Sequence, residues 1–431
     1  MQTYFVGDLW ALQDFLEAAR VYDRSTDAWI GGDTIIVQCG DVLDRGMEEL
    51  ACYELLAKLS HQALQHDGKV ILLVGNHEAL NALGAFQYAM NDHEHEKRIG
   101  RVVDDVLDTP NWRIQYGGGS SSNHQNNMIQ PARWAAYEPG GLLSSSLMAQ
   151  MKIAVRVGRT VCVHAGLRPS HLKDYGGIEG MNRSYKEWIT LGAIIHDNEN
   201  ESENETNTSS NNNNNNIYSN NPVRYNHLGK YTDRNQINID AQKRQQYYME
   251  SIPKFLKGVF GGPVWMREYS SPHDQQPMDP NNNRNSNSNS NSIDDNNNNN
   301  NSIQHLIDET LLLLDADRMV MGHTIQRRIN SALNEKAWRI DVGASRGCLG
   351  GTPEVLEVIH NNNVATGDTA GTATDIVSIL TLNKQSIPAI ERSVDFVATT
   401  STTTSSPFYP APANPATSTE SYQVKRREAF F

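Results

Sequence analysis

Polar residues that could perform chemistry follow a series of apolar, strand-like runs in this sequence. They are Asp8 in TYFVGD, Asp41, Asp44 and Arg45 in GDVLDRG, Asn76 and His77 in GNHE, His164 in VCVHAGL and His323 in MVMGHT. Each element alone is weak evidence, because a Gly-Asp after a strand is usually a turn and a lone histidine is usually a core residue. Several such elements in one order, each at a strand end, favour a functional site.

The residue types indicate what that site could do. Two aspartates, one asparagine oxygen and two imidazoles form a mixed oxygen and nitrogen ligand set that suits Mn, Fe or Zn. One carboxylate shared by two cations would create a two-metal hydrolytic centre. Arginine binds phosphate oxygens through its planar guanidinium. The sequence therefore predicts metal-assisted chemistry on a phosphate group.

The elements that must position these residues alternate in type. Helical spacing at 12–19 is followed by the β-branched run TIIVQC, a second helical pattern at 51–59 and the strand VILLV. This order favours parallel pairing in an α/β layer, in which sites form where the strands end. Further along, IAVRVGRTVCVHAG reads as two strands joined by a tight turn, and we expect a helix at 306–314 and strands at 318–321 and 338–341.

Low-complexity segments interrupt this pattern. Asn-rich tracts at about 198–221 and 275–302 cannot bury enough apolar surface to offset the entropy of ordering, so disordered insertions are expected there. The Ser/Thr/Pro-rich residues 394–431 are expected to be a disordered tail, including the basic end VKRREAFF. We therefore predict one interrupted domain over 1–393.

Composition excludes several classes of protein. The net charge of −13 over 431 residues makes general binding to nucleic acid or anionic membranes improbable. The four cysteines show no CxxC spacing, which favours a reducing compartment. No apolar run has a membrane-spanning length and no signal peptide is visible, so a cytoplasmic location is expected. The oligomeric state is left open.

The blocks GDVLDRG, GNHE, VHAGL and MGHT resemble the signature blocks of the calcineurin-like metallophosphoesterases. The Asp-Arg-Gly of the first block resembles the phosphoprotein phosphatase branch. GGPVWMREY and WRIDVGASRGCLGG are similar to the Shewanella-like phosphatases of that branch. The resemblance implies an α/β sandwich of two mixed β-sheets flanked by helices, with the low-complexity tracts as loop insertions.

The resemblance also implies roles for individual residues. Two metal ions (Mn, Fe or Zn) would be bound, with Asp8 on the first, Asp41 bridging both, and Asn76, His164 and His323 on the second. His77 would be the general acid and Asp44 would orient it. Arg45 and Arg267 would bind the phosphate of a phosphorylated protein or a small phosphomonoester.

The first block departs from the family pattern Gly-Asp-x-His-Gly. Here it reads Gly7-Asp8-Leu9-Trp10-Ala11, so a histidine ligand of the first metal is replaced by Trp10. An indole nitrogen only donates hydrogen bonds and cannot coordinate a metal. We expect the bulky ring to crowd the first metal position and weaken that site.

Three explanations of Trp10 stay open: a phosphatase with a weakened first site, a pseudophosphatase that binds phosphorylated partners, and a gene-model error. The intact residues His77, Asp44 and Arg45 favour an enzyme, since binding alone needs no proton donor. A diadenosine-polyphosphate or other nucleotide hydrolase is a further alternative, against which the Asp-Arg-Gly block argues.

Overall fold

The protein is described by a computed structural model. The structure describes residues 8–89, 98–101, 131–190, 245–258, 261–270, 293–360, 375–383, 386–388 and 427–431. The predicted strand at 3–7 and the Asn-rich tract at 198–221 lie outside these residues, as do 275–292 of the second tract and 394–426 of the tail.

One six-stranded mixed sheet carries the first half of the predicted site. Its order is β12-β11-β10-β13-β3-β4, with β4, β3 and β13 parallel and the remaining neighbours antiparallel. The strands are β3 (Ile35–Gln38), β4 (Lys69–Leu72), β10 (Glu354–Ile359), β11 (Ile376–Thr381), β12 (Ser386–Pro388) and β13 (Arg427–Phe430). All four residues of β3 are buried, as expected for a β-branched run covered on both faces.

A five-stranded mixed sheet carries the second half, in the order β5-β6-β7-β9-β8. The strands are β5 (Ala154–Val157), β6 (Thr160–Val163), β7 (Arg318–Met321), β8 (Asn330–Ala332) and β9 (Ala337–Arg339). The hairpin of β5 and β6 is the predicted one, and β6, β7 and β9 run parallel. A separate hairpin joins β1 (Tyr22–Asp23) to β2 (Ala28–Trp29).

Helices cover the outer faces of the two sheets. They are α1 (Leu9–Ala18), α2 (Glu49–Leu64), α3 (Asn76–Ala82), α4 (Pro131–Tyr137), α5 (Leu142–Ser146), α6 (Pro169–Tyr175), α7 (Gly177–Ile189) and α8 (Ile293–Leu313). None of the helices in the described part of the chain combines the length and apolar character that crossing a bilayer requires.

The core explains the layered arrangement. One buried cluster joins Val37 and Leu356 of the first sheet to Cys162, Val320 and Trp338 of the second, so the two sheets pack face to face. Separate clusters fill the space under α1 and α2 and under the helices of the second sheet. The predicted α/β sandwich of two mixed sheets is confirmed.

Two boundaries differ from the prediction. Helix α8 begins at Ile293, inside the second Asn-rich tract, because the amphipathic segment that follows extends its helix backwards. The prediction of a disordered tail is wrong for residues 427–431, since β13 lies between β10 and β3. Ala429 and Phe430 are fully buried there, and this burial of apolar surface offsets the cost of ordering the strand.

Candidate metal centre and its surroundings

The polar loops after the strands of both sheets line one cavity of about 580 Å³. The loop after β3 contributes Asp41, Asp44 and Arg45, and the start of α3 contributes Asn76 and His77. The loops after β6, β7 and β9 contribute His164, His323 and Asp341. The polar residues that follow the strands thus lie together in one cavity.

Four side chains converge closely enough to hold a metal ion. His164 Nε2 lies 3.1 Å from Asn76 Oδ1, 3.2 Å from His323 Nδ1 and 3.3 Å from Asp41 Oδ2. Asn76 Oδ1 lies 2.8 Å from His323 Nδ1. Ligand atoms bound about 2.1 Å from one tetrahedral ion are separated by about 3.4 Å. The donor set and its spacing thus fit a divalent cation.

Neighbouring groups prepare these ligands for a cation. His164 Nδ1 lies 2.6 Å from the Cys39 carbonyl oxygen, to which it donates, so Nε2 is the nitrogen that faces the cluster. Burial, followed by the nearby His164 and Arg267, lowers the pKa of His323 to about 3 and keeps its ring neutral. Burial opposes ionisation of Asp41, but His164 and His77 hold its pKa below the ordinary value.

His77 and Asp44 form a buried hydrogen-bonded pair beside the cluster. His77 Nδ1 lies 2.7 Å from Asp44 Oδ2, and His77 Nε2 lies 4.0 Å from Asp41 Oδ2. Burial lowers the pKa of His77, but the hydrogen bond to Asp44 and the charge of Asp41 outweigh it, so the net pKa is raised. The geometry suits an oriented proton donor, with its free nitrogen next to the ligand cluster.

Two arginines enter the cavity from different loops. Arg45 packs its guanidinium over the Tyr88 ring, 5.5 Å from the centroid, and donates to Cys348 Sγ at 3.1 Å. Arg267 donates to Thr324 Oγ1 at 2.9 Å. The structure thus brings both predicted phosphate-binding residues to the cavity that holds the cluster.

The predicted first metal position has a different environment. The Asp8 carboxylate accepts from the backbone N–H groups of Trp10 and Ala11 and caps helix α1. Both of its oxygens also accept from Arg346, at 2.7 Å and 3.1 Å. Burial opposes its ionisation, but the Arg346 hydrogen bond keeps the pKa of Asp8 below its ordinary value.

Trp10 does not crowd the cavity, so that expectation is wrong. Its side chain is 56% exposed and is not among the residues that line the cavity. The Arg24 guanidinium packs 4.9 Å above its ring, and Arg24 itself pairs with Asp14. Position 10 falls in the first turn of α1, where the helix directs the side chain away from the cavity.

Three further residues support the site and were not predicted from the sequence. Glu78 accepts from the backbone N–H groups of Asp41, Val42, Leu43 and Gly75 and so fixes one loop against the other. Its place in GNHE was a usable signal. Asp341 lines the cavity and follows a strand, as the other site residues do, and burial together with Asp41 raises its pKa.

Arg133 is the third missed residue, and its sequence context gave no signal. Its side chain is fully buried, and it donates to Asp44 Oδ1 at 2.9 Å and to the Glu49 carboxylate. It also donates to Asn81, which in turn donates to Asp44. These hydrogen bonds hold the Asp44 carboxylate in a fixed orientation beneath His77.

Four residues of this site have a strained backbone conformation. Asp41, Asp44, Arg45 and His323 all have positive φ, between 57° and 71°. Such conformations cost about 1–3 kcal/mol each for residues with side chains and persist when surrounding contacts impose them. The four strained residues are the predicted metal, acid-orienting and phosphate-binding residues.

Comparison with known protein families identifies the class of protein to which this chain belongs. A family model described as calcineurin-like phosphoesterase matches residues 1–239, and the chain therefore belongs to that family. The family implies divalent metal ions as cofactors. The resemblance drawn from the signature blocks is confirmed.

Two of the proteins that are similar to this chain in sequence are named as phosphatases. The chain is 28% identical to Shewanella-like protein phosphatase 2 of Arabidopsis thaliana over 371 residues, which is 83% of this chain and 74% of the relative. It is 40% identical to Shewanella-like protein phosphatase 1 of Plasmodium berghei over 82 residues, 19% of this chain and 22% of the relative.

Solved structures include a cold-active protein tyrosine phosphatase of a Shewanella species. It is similar to this chain with a TM-score of 0.46 and 15% identity, covering 89% of this chain and 77% of the other.

Proposed function

We propose that this chain is a metal-dependent phosphatase that hydrolyses phosphate monoesters, with phosphorylated proteins as its substrates. One observation carries the proposal: the ligand cluster, the His77–Asp44 pair and two arginines share a single cavity. The phosphatase names of the similar proteins support the substrate class. The choice between phosphoserine or phosphothreonine and phosphotyrosine is left to experiment.

Each residue has a distinct part in the proposed reaction. Asp41, Asn76, His164 and His323 would hold a divalent ion, which would activate water and polarise the phosphate. Arg45 and Arg267 would bind the phosphate oxygens and orient the ester. His77 Nε2 would donate its proton to the leaving oxygen. Asp44 would hold Nδ1–H so that Nε2 points at that oxygen.

Substitution at two of these positions tests the proposal. We expect Mn²⁺-loaded protein to hydrolyse p-nitrophenyl phosphate and a phosphopeptide, and Asp41→Asn and His77→Asn to lower kcat by about 10²–10⁴-fold on the peptide. His66→Asn, at an exposed histidine near the end of α2, is the matched control and should leave kcat unchanged. Full activity in both Asp41→Asn and His77→Asn would sink the assignment.

A second candidate is a catalytically impaired protein that binds phosphorylated partners. The observation that favours it is the Asp8–Arg346 pair in place of a first metal site. Tight binding of a phosphopeptide by the Mn²⁺-loaded protein without turnover of any phosphomonoester would favour this candidate. A substrate panel that includes diadenosine polyphosphates tests the nucleotide-hydrolase alternative.

A further inference from the structure

The Asp8 carboxylate is surrounded by donors that leave little room for a cation. Its Oδ1 receives the N–H groups of Trp10 and Ala11 together with Arg346 Nη2, at 3.1, 3.2 and 3.1 Å. Its Oδ2 receives Arg346 Nε at 2.7 Å. A carboxylate has about four lone-pair positions in total. Four donors already direct hydrogens at this one, two of them from the fork of one guanidinium.

The remaining residues near Asp8 do not complete a first metal site. The group of histidine and carboxylate ligands found among the described residues is Asp41, His164 and His323, and Asp8 is not part of it. Trp10 stands where the family has a ligand, and its ring points to solvent. The first site implied by the family therefore does not fit these residues, whereas the second one does.

We propose that this chain builds a single-metal centre, in which the Arg346 guanidinium takes the place of a first metal ion as the cationic partner of Asp8. The proposal rests on the proposed function for its one remaining metal. A guanidinium neutralises the carboxylate but offers no open coordination position. The guanidinium would balance the charge of Asp8 and fix its position. Activation of water would be left to the single ion bound by Asp41, Asn76, His164 and His323.

The same pair ties the loop after β9 to the start of α1. Arg346 lies on a loop closed by hydrogen bonds from Leu349 N and Gly351 N to Gly343 O. Two residues further on, Cys348 receives the hydrogen bond from Arg45. The Asp8–Arg346 pair thus holds the loop that contacts Arg45, a predicted phosphate-binding residue. The pair therefore also helps to position Arg45 in the cavity.

Metal stoichiometry tests the proposal without relying on turnover. Metal-free full-length chain is titrated with Mn²⁺ by calorimetry, and bound manganese is counted after desalting. We expect one equivalent in the unsubstituted protein and one in Asp8→Asn, with affinities within about threefold, because Asn preserves the helix cap and Asp8 is not a ligand. Asp41→Asn should lose the bound equivalent.

Thermal unfolding of the same proteins tests the pairing itself. Asp8→Asn and Arg346→Ala should each lower the Tm, and the double variant should lower it by less than the sum of the two single changes, because both substitutions break the same ion pair. Arg156→Ala, at an exposed arginine of β5 that pairs with Asp315, is the control for loss of a surface charge and should add independently to Asp8→Asn.

The results of these experiments distinguish failure of the single-metal centre from failure of the proposed phosphatase function. Two tightly bound equivalents, with one lost in Asp8→Asn, would overturn the single-metal centre and leave the phosphatase proposal intact. No bound Mn²⁺ in the unsubstituted protein would remove the metal-dependent function and the single-metal centre together. Additive effects of Asp8→Asn and Arg346→Ala on Tm would show that the two residues do not act as a pair.

Discussion

At the scale of single residues, the acidic side chains of the cavity are held by arginines that are distant in the sequence. Asp44 could be assigned beside His77 from the blocks GDVLDRG and GNHE, and the structure places them 2.7 Å apart. Arg133 lies 89 positions from Asp44 and contacts it in the core, and Arg346 lies 338 positions from Asp8. Local motifs predict which groups would contact a substrate, but they carry no information about such distant charge partners.

The raised pKa of His77 predicts a pH profile. A general acid works only while protonated, so kcat on a substrate with a poor leaving group should fall as pH rises through that pKa. Because Asp44 and Asp41 raise the pKa above 6.5, the plateau should extend above pH 6.5. Asp44→Asn should move the falling limb to lower pH and lower kcat by about 10²-fold or more.

The leaving group provides the control for this profile. p-Nitrophenolate needs little protonation, so its release should depend far less on pH and on His77. The same steep basic limb for both substrates would contradict the assignment of His77 as the acid.

Gly75 is the residue at which added volume should damage the site most directly. A Cβ there would lie 2.1 Å from Asp41 Oδ1, although its φ of −94° is acceptable for alanine. We therefore expect Gly75→Ala to displace Asp41 and weaken Mn²⁺ binding at least about tenfold, as measured by titration.

Gly32→Ala is the matched control for Gly75→Ala. Gly32 has φ of +55°, and no atom lies within 4 Å of the place that a Cβ would occupy, so the change introduces backbone strain without a collision. It should cost about 1–2 kcal/mol of stability and leave Mn²⁺ affinity unchanged. Equal losses of affinity in both variants would show that strain alone, and not the contact with Asp41, explains the effect.

At the scale of elements, the spacing of apolar residues and the turn residues between them predicted most of the strands and helices that position the site. The runs TIIVQC and VILLV became the parallel neighbours β3 and β4, and the predicted hairpin became β5 and β6. The strand β13 was not predicted because two of the four residues of REAF are charged and the segment follows a Ser/Thr/Pro-rich stretch. The segment forms a strand because it pairs with β10 and β3, which are distant in the sequence.

Helix α6 carries a histidine that should make stability depend on pH. His171 is buried, and burial followed by the charge of Arg168 lowers its pKa to about 4. Its neutral ring accepts the Arg168 N–H. Since the pKa in the unfolded chain is near 6.5, the stabilisation is complete above pH 6.5 and is lost as pH falls towards 4.

Denaturant unfolding at pH 7 and pH 5 measures this effect. His171→Asn should lose less stability between the two pH values than the unsubstituted protein, by on the order of 1–2 kcal/mol. His66→Asn, at an exposed histidine, should reproduce the unsubstituted pH dependence. An unchanged dependence in His171→Asn would mean that its burial does not control the acid sensitivity.

At the scale of the whole molecule, the six-stranded sheet and the cavity depend on β13. This strand pairs with β10 on one side and β3 on the other, and β3 leads directly into Asp41. Phe431, the residue after β13, lines the cavity and stacks on Phe15 with ring centroids 5.4 Å apart. The charge and composition of the segment gave no indication of this central position.

Removing side-chain volume from β13 should therefore destabilise the entire fold. Phe430 is fully buried between Val37 and Leu356, and Phe430→Ala should lower the free energy of unfolding by about 3–5 kcal/mol in chemical denaturation. Leu64→Ala, at a leucine that is 64% exposed, should change it by less than about 0.5 kcal/mol. Similar values for the two variants would mean that β13 is not part of the cooperative core.

The position of β13 also has a consequence for the kinetics of folding. Its pairing with β3 joins residues about 390 positions apart, which is a very non-local contact. Such contacts form late, because the chain must first close a long loop. Until then β3 and β10 each present an unpaired edge, which can add a strand from another chain. Refolding should consequently be slow, and its yield should fall as protein concentration rises.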